Sequence, residues 1–251
     1  MTIFTCKSDL TSMMTCIYDA WASRKGHGNI KLLREPVFQQ ELFDEYIHVE
    51  GDEEKAEKVL RSVRAKISPT AYIDVLYAAH SCEEDALDTI YRFLVLGFAY
   101  GAKVSSMLSY PPVMRLMELK RNVGNEAHFM HEFTRFTSID GKVYVSHIEP
   151  KNDVLALTAE HFQDRMPSEY FLIIDDRRRS VAVHPRNEEF YIRYLTAEEA
   201  QSLSETEQIT DEYTVLWRTF FDTIGIKERA NPVCQRNLFP IWRRKHVTEF
   251  M

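Results

Sequence analysis

Apolar residues recur at helical spacing along the first half of this 251-residue chain. After a short apolar start, Leu10, Met13, Ile17 and Trp21 lie on one helical face, and Ser8 is a candidate N-cap. The segment EYIHVEG predicts a short strand, and a second amphipathic helix runs on to Ile67. Ser68 and Pro69 then end that helix and start another, because proline suits the first helical turn.

The next helix is predicted to form the centre of a helical core. Ser81 and Glu84 have capping-box spacing, and the continuation FLVLGFAYG is apolar nearly all round. Pro111 and Pro112 mark the following boundary, after which helical spacing resumes. We therefore expect residues 1–125 to form a mainly helical subdomain.

The pattern then changes to strands. Phe133 to Ile139 and Lys142 to Ile148 predict two strands joined by Asp140-Gly141, a dipeptide that favours tight hairpins. Val154 to Met166 returns to helical spacing, and YFLIID and SVAVH follow as strands around a charged turn. The order β-β-α-β-β over residues 126–195 predicts a small antiparallel sheet covered by a helix, in an α+β fold.

Helical spacing returns in residues 196–251. Thr196 and Glu199 form another candidate capping box, and the acidic stretch SETEQITDE predicts a solvated loop leading into a helix. Aromatic and apolar residues line one face of that late helix: Tyr213, Trp217, Phe220, Phe221 and Ile224. We expect these C-terminal helices to pack on both preceding parts, so that the chain forms one compact domain.

Composition narrows the classes of function. A net charge of -7 argues against a protein that coats nucleic acid nonspecifically. The amino terminus lacks the uninterrupted apolar stretch of a signal peptide, and no apolar run is long enough for a membrane span, so we expect a cytoplasmic protein. The four cysteines are widely spaced without a CxxC pair, which indicates reduced thiols that mostly serve packing.

Charged and imidazole groups alternate with strand-like runs between Glu126 and His184. His128 and His131 can share one helical face beside Glu132, but HxxHE matches neither helical metalloprotease spacing and no third ligand is identifiable. Helix capping and pairing with arginines is the interpretation that we favour over a metal site. A third interpretation makes His128 and His161 acid-base candidates, with Arg135 and Arg165 binding phosphate.

Two further segments are rich in charge. Asp175 to Arg179 fall at a predicted turn between strands, where a solvated hairpin tip competes with an anion-binding role. The tail carries Arg229, Arg243 and Arg244 among aromatic residues, which suits phosphate and base contacts. The alternative is that Phe239 and Trp242 only fix the tail to the core.

The chain resembles a family of DNA-metabolism proteins that is built on a domain of unknown function and encoded beside a radical-SAM protein. The resemblance is carried by YRFLVLGFAYG, EAHFMHEFTRF with DGKVYVSHIEP, HFQDR, IIDDRRR and RANPVCQRNLFPIWRRKHVTEF. Positions that match the family pattern one by one are His128, Arg135, Phe136, His161, Phe162, Arg165, Asp175, Arg178, Arg229, Asn231 and Pro240. This chain departs from the pattern at His128-Phe129, where a His-Arg pair is usual, and at the N-terminal segment CKSD.

The resemblance implies DNA repair or modification, and related domains occur fused to a uracil-DNA-glycosylase-like module. The chain lacks the CxxxCxxC triad of a radical-SAM cluster, so a radical-SAM partner would supply that chemistry. We expect no cofactor or metal of its own. Our first hypothesis is an accessory protein that binds damaged or single-stranded DNA through seven residues, Arg135, Arg165, Arg178, Arg229, Asn231, Arg243 and Arg244. A nucleic-acid- or nucleotide-processing enzyme using His128 or His161, and a non-catalytic scaffold, are the alternatives.

Overall fold

The computed structural model describes residues 1–37, 42–204 and 211–250. The chain forms two compact units, Met1–Asn125 (unit 1) and Glu126–Met251 (unit 2). The division falls within a single helix, α5, whose bounds are Pro111–Phe133. None of the described helices is both long and apolar enough to cross a lipid bilayer.

Unit 1 contains a three-stranded parallel sheet. Its strands are β1 (Thr2–Cys6), β2 (Ile30–Arg34) and β3 (Glu45–His48), in the order β2-β1-β3. The sequence predicted a strand only at β3. All five residues of β1 are buried, and a strand buried on both faces does not show the alternation that marks a half-exposed strand.

Helices surround this sheet in unit 1, where the sequence predicted them. They are α1 (Leu10–Ala22), α2 (Glu53–Lys66), α3 (Pro69–Ala79), α4 (Ala86–Tyr100) and the first part of α5. Two capping predictions were wrong. Asp9, not Ser8, caps α1 by accepting a hydrogen bond from the Ser12 amide at 2.8 Å. Ser81 accepts from the Glu83 amide before α4 begins and does not cap that helix.

The predicted central role of α4 is confirmed, since Leu87, Ile90, Tyr91, Phe93 and Leu94 are all fully buried. Gly97 lets α4 approach Ile67 at the end of α2. A Cβ atom at this glycine would lie 2.5 Å from Ile67 Cδ1. Two of the four cysteines, Cys6 and Cys16, pack in this core, whereas Cys82 and Cys234 are exposed.

Unit 2 is built on a five-stranded sheet. The strands are β4 (Thr137–Ile139), β5 (Val143–Ile148), β6 (Tyr170–Asp175), β7 (Ser180–His184) and β8 (Tyr191–Tyr194), in sequential order across the sheet. The predicted Asp140-Gly141 hairpin joins β4 to β5, with φ values of 52° and 65° that suit this turn. Phe133 ends α5, so the first strand begins four residues later than predicted.

The α+β class is confirmed, but the sheet is mixed rather than antiparallel. Strands β5 and β6 pair in parallel, because α6 (Leu155–Arg165) carries the chain back to the starting edge before β6 begins. The sequence showed this helix without showing the direction of the strand after it. The edge strand β8 was missed, and all four of its residues are exposed.

Helices cover both faces of this sheet. Phe171 and Phe162 contact the ring of Phe136 on the face next to α6. On the opposite face, Val145, Ile174 and Val181 pack with Ala200 of α7 (Ala197–Ser204). The Thr196–Glu199 capping box of α7 is confirmed: each residue accepts a hydrogen bond from the other's amide, at 3.2 and 2.9 Å.

Two more helices complete unit 2, α8 (Glu212–Ile224) and α9 (Pro232–Leu238). Most of the predicted acidic loop, residues 205–210, lies outside the described part of the chain. The predicted helix follows at Glu212, with Asp211 as its N-cap. Its aromatic face is exposed, with Trp217 at 39% and Phe220 at 52% of full exposure.

Candidate functional site

The loop that follows β5 is held by hydrogen bonds along its backbone. Glu126, buried in α5, accepts hydrogen bonds from the Lys151 amide at 2.9 Å and the Asn152 amide at 2.7 Å. Arg178 donates to the carbonyl oxygens of Pro150, at 3.1 Å, and Lys151. The loop therefore has a fixed conformation at the carboxyl end of the parallel pair β5 and β6.

Two adjacent carboxylates at the end of β6 have different partners. Asp175 is fully buried and accepts from the amides of Arg177 and Arg178 and from the Arg178 guanidinium, the last at 2.9 Å. Burial raises the pKa of Asp175, and Arg178 partly opposes that rise. Asp176 instead bonds to His147 of β5. Asp175 is the last residue of β6 and Asp176 is the first residue of the turn that follows, so the two carboxylates have different surroundings.

His147 and Asp176 form the centre of an ionisable cluster. Nδ1 of His147 lies 3.0 and 3.2 Å from the two Asp176 carboxylate oxygens. The ring of His246 stacks 6.2 Å from that of His147, and its Nε2 is 3.7 Å from Asp176. Lys245 donates to Glu149 at 2.6 Å, and this bond is the main cause that lowers the pKa of Glu149.

This cluster has the geometry of an acid-base site. Asp176 orients the His147 imidazole through Nδ1, as a carboxylate does in many proton-transfer sites. His147 is almost fully buried, which limits its exchange with solvent. Among the described residues, no group of three or more His, Cys, Asp or Glu has an arrangement that could hold a metal ion.

The structure places the two predicted acid-base histidines elsewhere. His161 on α6 stacks on His131 with ring centroids 4.2 Å apart and an interplanar angle of 8°. Burial, followed by the neighbouring His131, lowers the pKa of His161. His128 is 73% exposed and lies 3.3 Å from Glu132 of the same helix, so this contact is not the expected pairing with an arginine.

Five of the seven predicted nucleic-acid-binding residues divide into two groups, those bonded within the fold and those that are exposed. Arg178 and Arg244 make hydrogen bonds within the fold. Arg178 donates to Asp175, and Arg244 donates to the Phe239 carbonyl oxygen at 3.0 and 2.8 Å. Asn231 is the N-cap of α9 and accepts from the Cys234 amide at 3.0 Å. The side chains of Arg165 and Arg229 are exposed and make no hydrogen bond or ion pair with the described residues.

Arg135 lies at a cavity of about 530 Å³ that is lined mostly by aromatic and apolar side chains. Its guanidinium is 5.5 Å from the Trp217 ring centroid and bonds to Glu249 at 2.6 Å. The other lining residues are Phe136, Tyr213, Thr214, Leu216, Phe220 and Thr248. In the tail, Trp242 is contacted by Lys151 at 4.4 Å and by Arg243 at 4.9 Å. Arg243 also lies 4.6 Å from the Phe129 ring.

The sequence alone did not indicate His147, Glu149 and His246 as site residues, and it indicated Asp176 only as part of a charged turn and Lys245 only as part of a basic tail. They belong to the segments DGKVYVSHIEP, IIDDRRR and WRRKH, which the structure brings together. The available signal was that histidine and acidic residues end two predicted strands. These residues come together only because β5 and β6 pair in parallel, which the sequence pattern did not show.

A known protein-family model matches most of the chain. The family model described as a domain of unknown function, DUF4130, matches residues 84–249, which are 166 of the 251 residues. No curated protein matches the chain. The matched span includes β4 to β8, the His147–Asp176 cluster and the Arg135 cavity. The chain belongs to this DUF4130 family.

Proposed function

We propose that this protein binds nucleic acid as an accessory protein of DNA repair or modification. The observation that carries the proposal is the Arg135 cavity, where a guanidinium meets exposed aromatic rings of α8. An aromatic ring stacks on any unpaired base with about 1–3 kcal/mol, and an arginine beside it can contact the phosphate. This combination favours single-stranded or locally opened DNA, because bases inside a duplex cannot reach such rings.

The charge of the C-terminal segment supports the same conclusion. Residues 213–250 carry seven Lys and Arg against three Asp and Glu, a formal net charge of +4 within a chain of -7. Arg165 and Arg229 have exposed guanidinium groups, so they can bind phosphate without breaking an ion pair of the described residues. Trp242, with Lys151 and Arg243 beside it, is a second candidate for base stacking.

The hydrogen bonds of the seven predicted binding residues decide which of them we propose as direct contacts and which as positioning residues. Arg165, Arg229 and Arg243 remain direct contacts in this proposal. Arg135 also donates to the carbonyl oxygens of Glu132 and Thr134, so it contacts a phosphate by exchanging its bond to Glu249. Arg178, Arg244 and Asn231 are positioning residues, because their polar groups already hold backbone atoms of unit 2. A radical-SAM protein is the proposed partner, and the support for it is the sequence resemblance described above.

Fluorescence anisotropy with a labelled single-stranded oligonucleotide tests this function. We expect Trp217→Ala to weaken binding by at least about fivefold, since one stacking contact contributes about 1–3 kcal/mol. Tyr191→Ala on β8 is the matched control, because Tyr191 is exposed but lies outside the cavity lining. Arg229→Ala should reduce the slope of log affinity against log salt. Equal affinities for the parent, Trp217→Ala and Arg229→Ala would overturn the proposal.

A second candidate function is a nucleic-acid- or nucleotide-processing enzyme, and the His147–Asp176 contact favours it. Here His147 transfers the proton and Asp176 orients its ring. Single-turnover assays on lesion-bearing oligonucleotides should compare the parent with His147→Gln and His161→Ala. Turnover lost only in His147→Gln supports this mechanism, whereas equal turnover removes both histidines from it.

The scaffold alternative predicts a different pair of results. Co-purification with the radical-SAM partner, without oligonucleotide binding or turnover, would favour a role in complex formation alone. Oligonucleotide binding that depends on Trp217 would exclude complex formation as a complete account. These outcomes separate the three hypotheses with one set of purified variants.

A further inference from the structure

Unit 1 has a cavity of about 620 Å³ at the carboxyl ends of its parallel strands. Thr5 lies near the end of β1, Glu35 and Pro36 follow β2 directly, and His48 ends β3. The described part of the cavity lining also includes Lys7 and Ser8, which follow β1. The cavity therefore draws on all three strands.

The strand order of this sheet also indicates a ligand site at the carboxyl ends of its strands. From β1 the chain passes through α1 to β2 on one side, and β3 then pairs on the other side of β1. Open parallel sheets bind ligands outside the carboxyl ends of their strands, at the point where the strand order reverses. In unit 1 that point lies between β1 and β3, whose ends carry Lys7 and His48.

A chain of polar contacts crosses the cavity. Thr5 Oγ1 donates to Glu35 at 2.7 Å, and Glu35 lies 2.6 Å from His48 Nδ1. Nε2 of His48 lies 3.0 Å from Glu50, which accepts from Lys7 at 3.2 Å. Both ring nitrogens of His48 can donate only when the imidazole is protonated. The Glu35 and Glu50 carboxylates accordingly raise the pKa of His48.

Two cationic side chains and a hydroxyl group line this cavity, and such groups suit the binding of an anion. Lys7 and protonated His48 supply positive charge, and Ser8 Oγ makes no hydrogen bond to the described residues. The Lys7–Glu50 pair is weak, since the two side chains are 62% and 70% exposed. A phosphate group could replace Glu50 as the partner of both Lys7 and His48 Nε2. Both carboxylate oxygens of Asp9, at the start of α1, are already bonded to Ser12.

We propose that this cavity is a binding site for a small phosphorylated molecule, with Lys7, Ser8 and His48 on the phosphate and Glu35 on donor groups of the remaining part. The volume is in the range of small-ligand sites, about 300–1,000 Å³. The lining residues that the structure describes all lie outside residues 84–249, the span that the family model matches. The site is independent of the proposed nucleic-acid surface of unit 2.

Isothermal titration of the full chain with inorganic phosphate, AMP and adenosine tests the site. We expect phosphate and AMP to bind and adenosine not to bind. Lys7→Ala should weaken AMP binding by about tenfold, the effect of one charge-assisted hydrogen bond. Lys58→Ala is the matched control, an exposed lysine on α2 that pairs with Glu54. The unfolding midpoint should be unchanged in both variants.

The pH dependence adds a second readout. As the pH rises through the raised pKa of His48 the imidazole loses its proton, so the affinity of the parent for AMP should fall more steeply with pH than that of His48→Asn. The charged groups facing His48 are Glu35 and Glu50, with Lys7 beyond Glu50. Equal binding of adenosine and AMP, or no saturation by phosphate or AMP up to about 10 mM, would overturn the proposal.

Discussion

Glu126 and Asn152 are joined by two hydrogen bonds, because one carboxylate oxygen accepts from both the amide and the side chain of Asn152, at 2.7 and 2.6 Å. Glu126→Ala would leave these donors and the Lys151 amide without their acceptor. We expect a loss of about 2–4 kcal/mol in the free energy of unfolding, measured by urea denaturation. Glu132→Ala, an exposed carboxylate on the same helix, should change it by less than about 0.5 kcal/mol. Similar losses in both variants would contradict this role.

Arg178 neutralises buried Asp175, so its removal should destabilise unit 2. We expect Arg178→Ala to cost about 2–4 kcal/mol at neutral pH, because a buried carboxylate loses its partner. The cost should be smaller in mild acid, since burial already raises the pKa of Asp175 and loss of the guanidinium raises it further. Denaturation of both proteins at pH 7 and about pH 5 measures this difference. Arg179→Ala, which removes an exposed side chain from the same turn, is the control.

A side chain at position 97 would clash with Ile67, and shortening Ile67 should relieve the clash. Gly97→Ala should cost about 1–3 kcal/mol, because its Cβ would lie 2.5 Å from Ile67 Cδ1. Ile67→Val removes that atom, so the double variant should be more stable than the sum of the single effects predicts. Gly124→Ala meets nothing closer than 3.8 Å and should be neutral or stabilising by up to about 1 kcal/mol. Additive effects of the Gly97 and Ile67 substitutions would exclude the contact.

His161, which stacks on His131, should make unit 2 less stable in acid. Burial lowers the pKa of His161 in the folded state, so the unfolded chain takes up this proton first as pH falls below about 6.5. Above that pH both states are neutral and the effect is absent. His161→Gln should therefore lose less stability than the parent between pH 7.5 and 5.5. His128→Gln replaces an exposed histidine and should follow the parent.

The sequence correctly predicted caps and turns whose geometry depends only on neighbouring residues. Ser68 caps α3 and Asp140-Gly141 turns the β4–β5 hairpin because each favours one backbone geometry by itself. Ser8 and Asp9 show the limit of such rules. Both residues are good caps, and only the final position of the Ser12 amide decides between them.

The candidate sites depended on pairings that lie far apart in the sequence. His147 meets Asp176 because β5 and β6 are parallel, and no local pattern reports strand direction. The arginines show a related limit, since Arg178 and Arg229 look alike in the sequence. One donates to buried groups and the other is exposed, and this difference comes from tertiary packing.

Because Glu126 and Arg178 both bond to the loop after β5, the amide hydrogens of this loop can report on the unfolding of unit 2. Surface loops usually exchange their amide hydrogens quickly, because transient opening exposes them to water. The amides of Lys151 and Asn152 are bonded to a buried carboxylate, and Arg178 holds the neighbouring carbonyl oxygens. Deuterium uptake at these two amides should therefore follow opening of the whole unit, and they can serve as site-specific reporters of its cooperative unfolding.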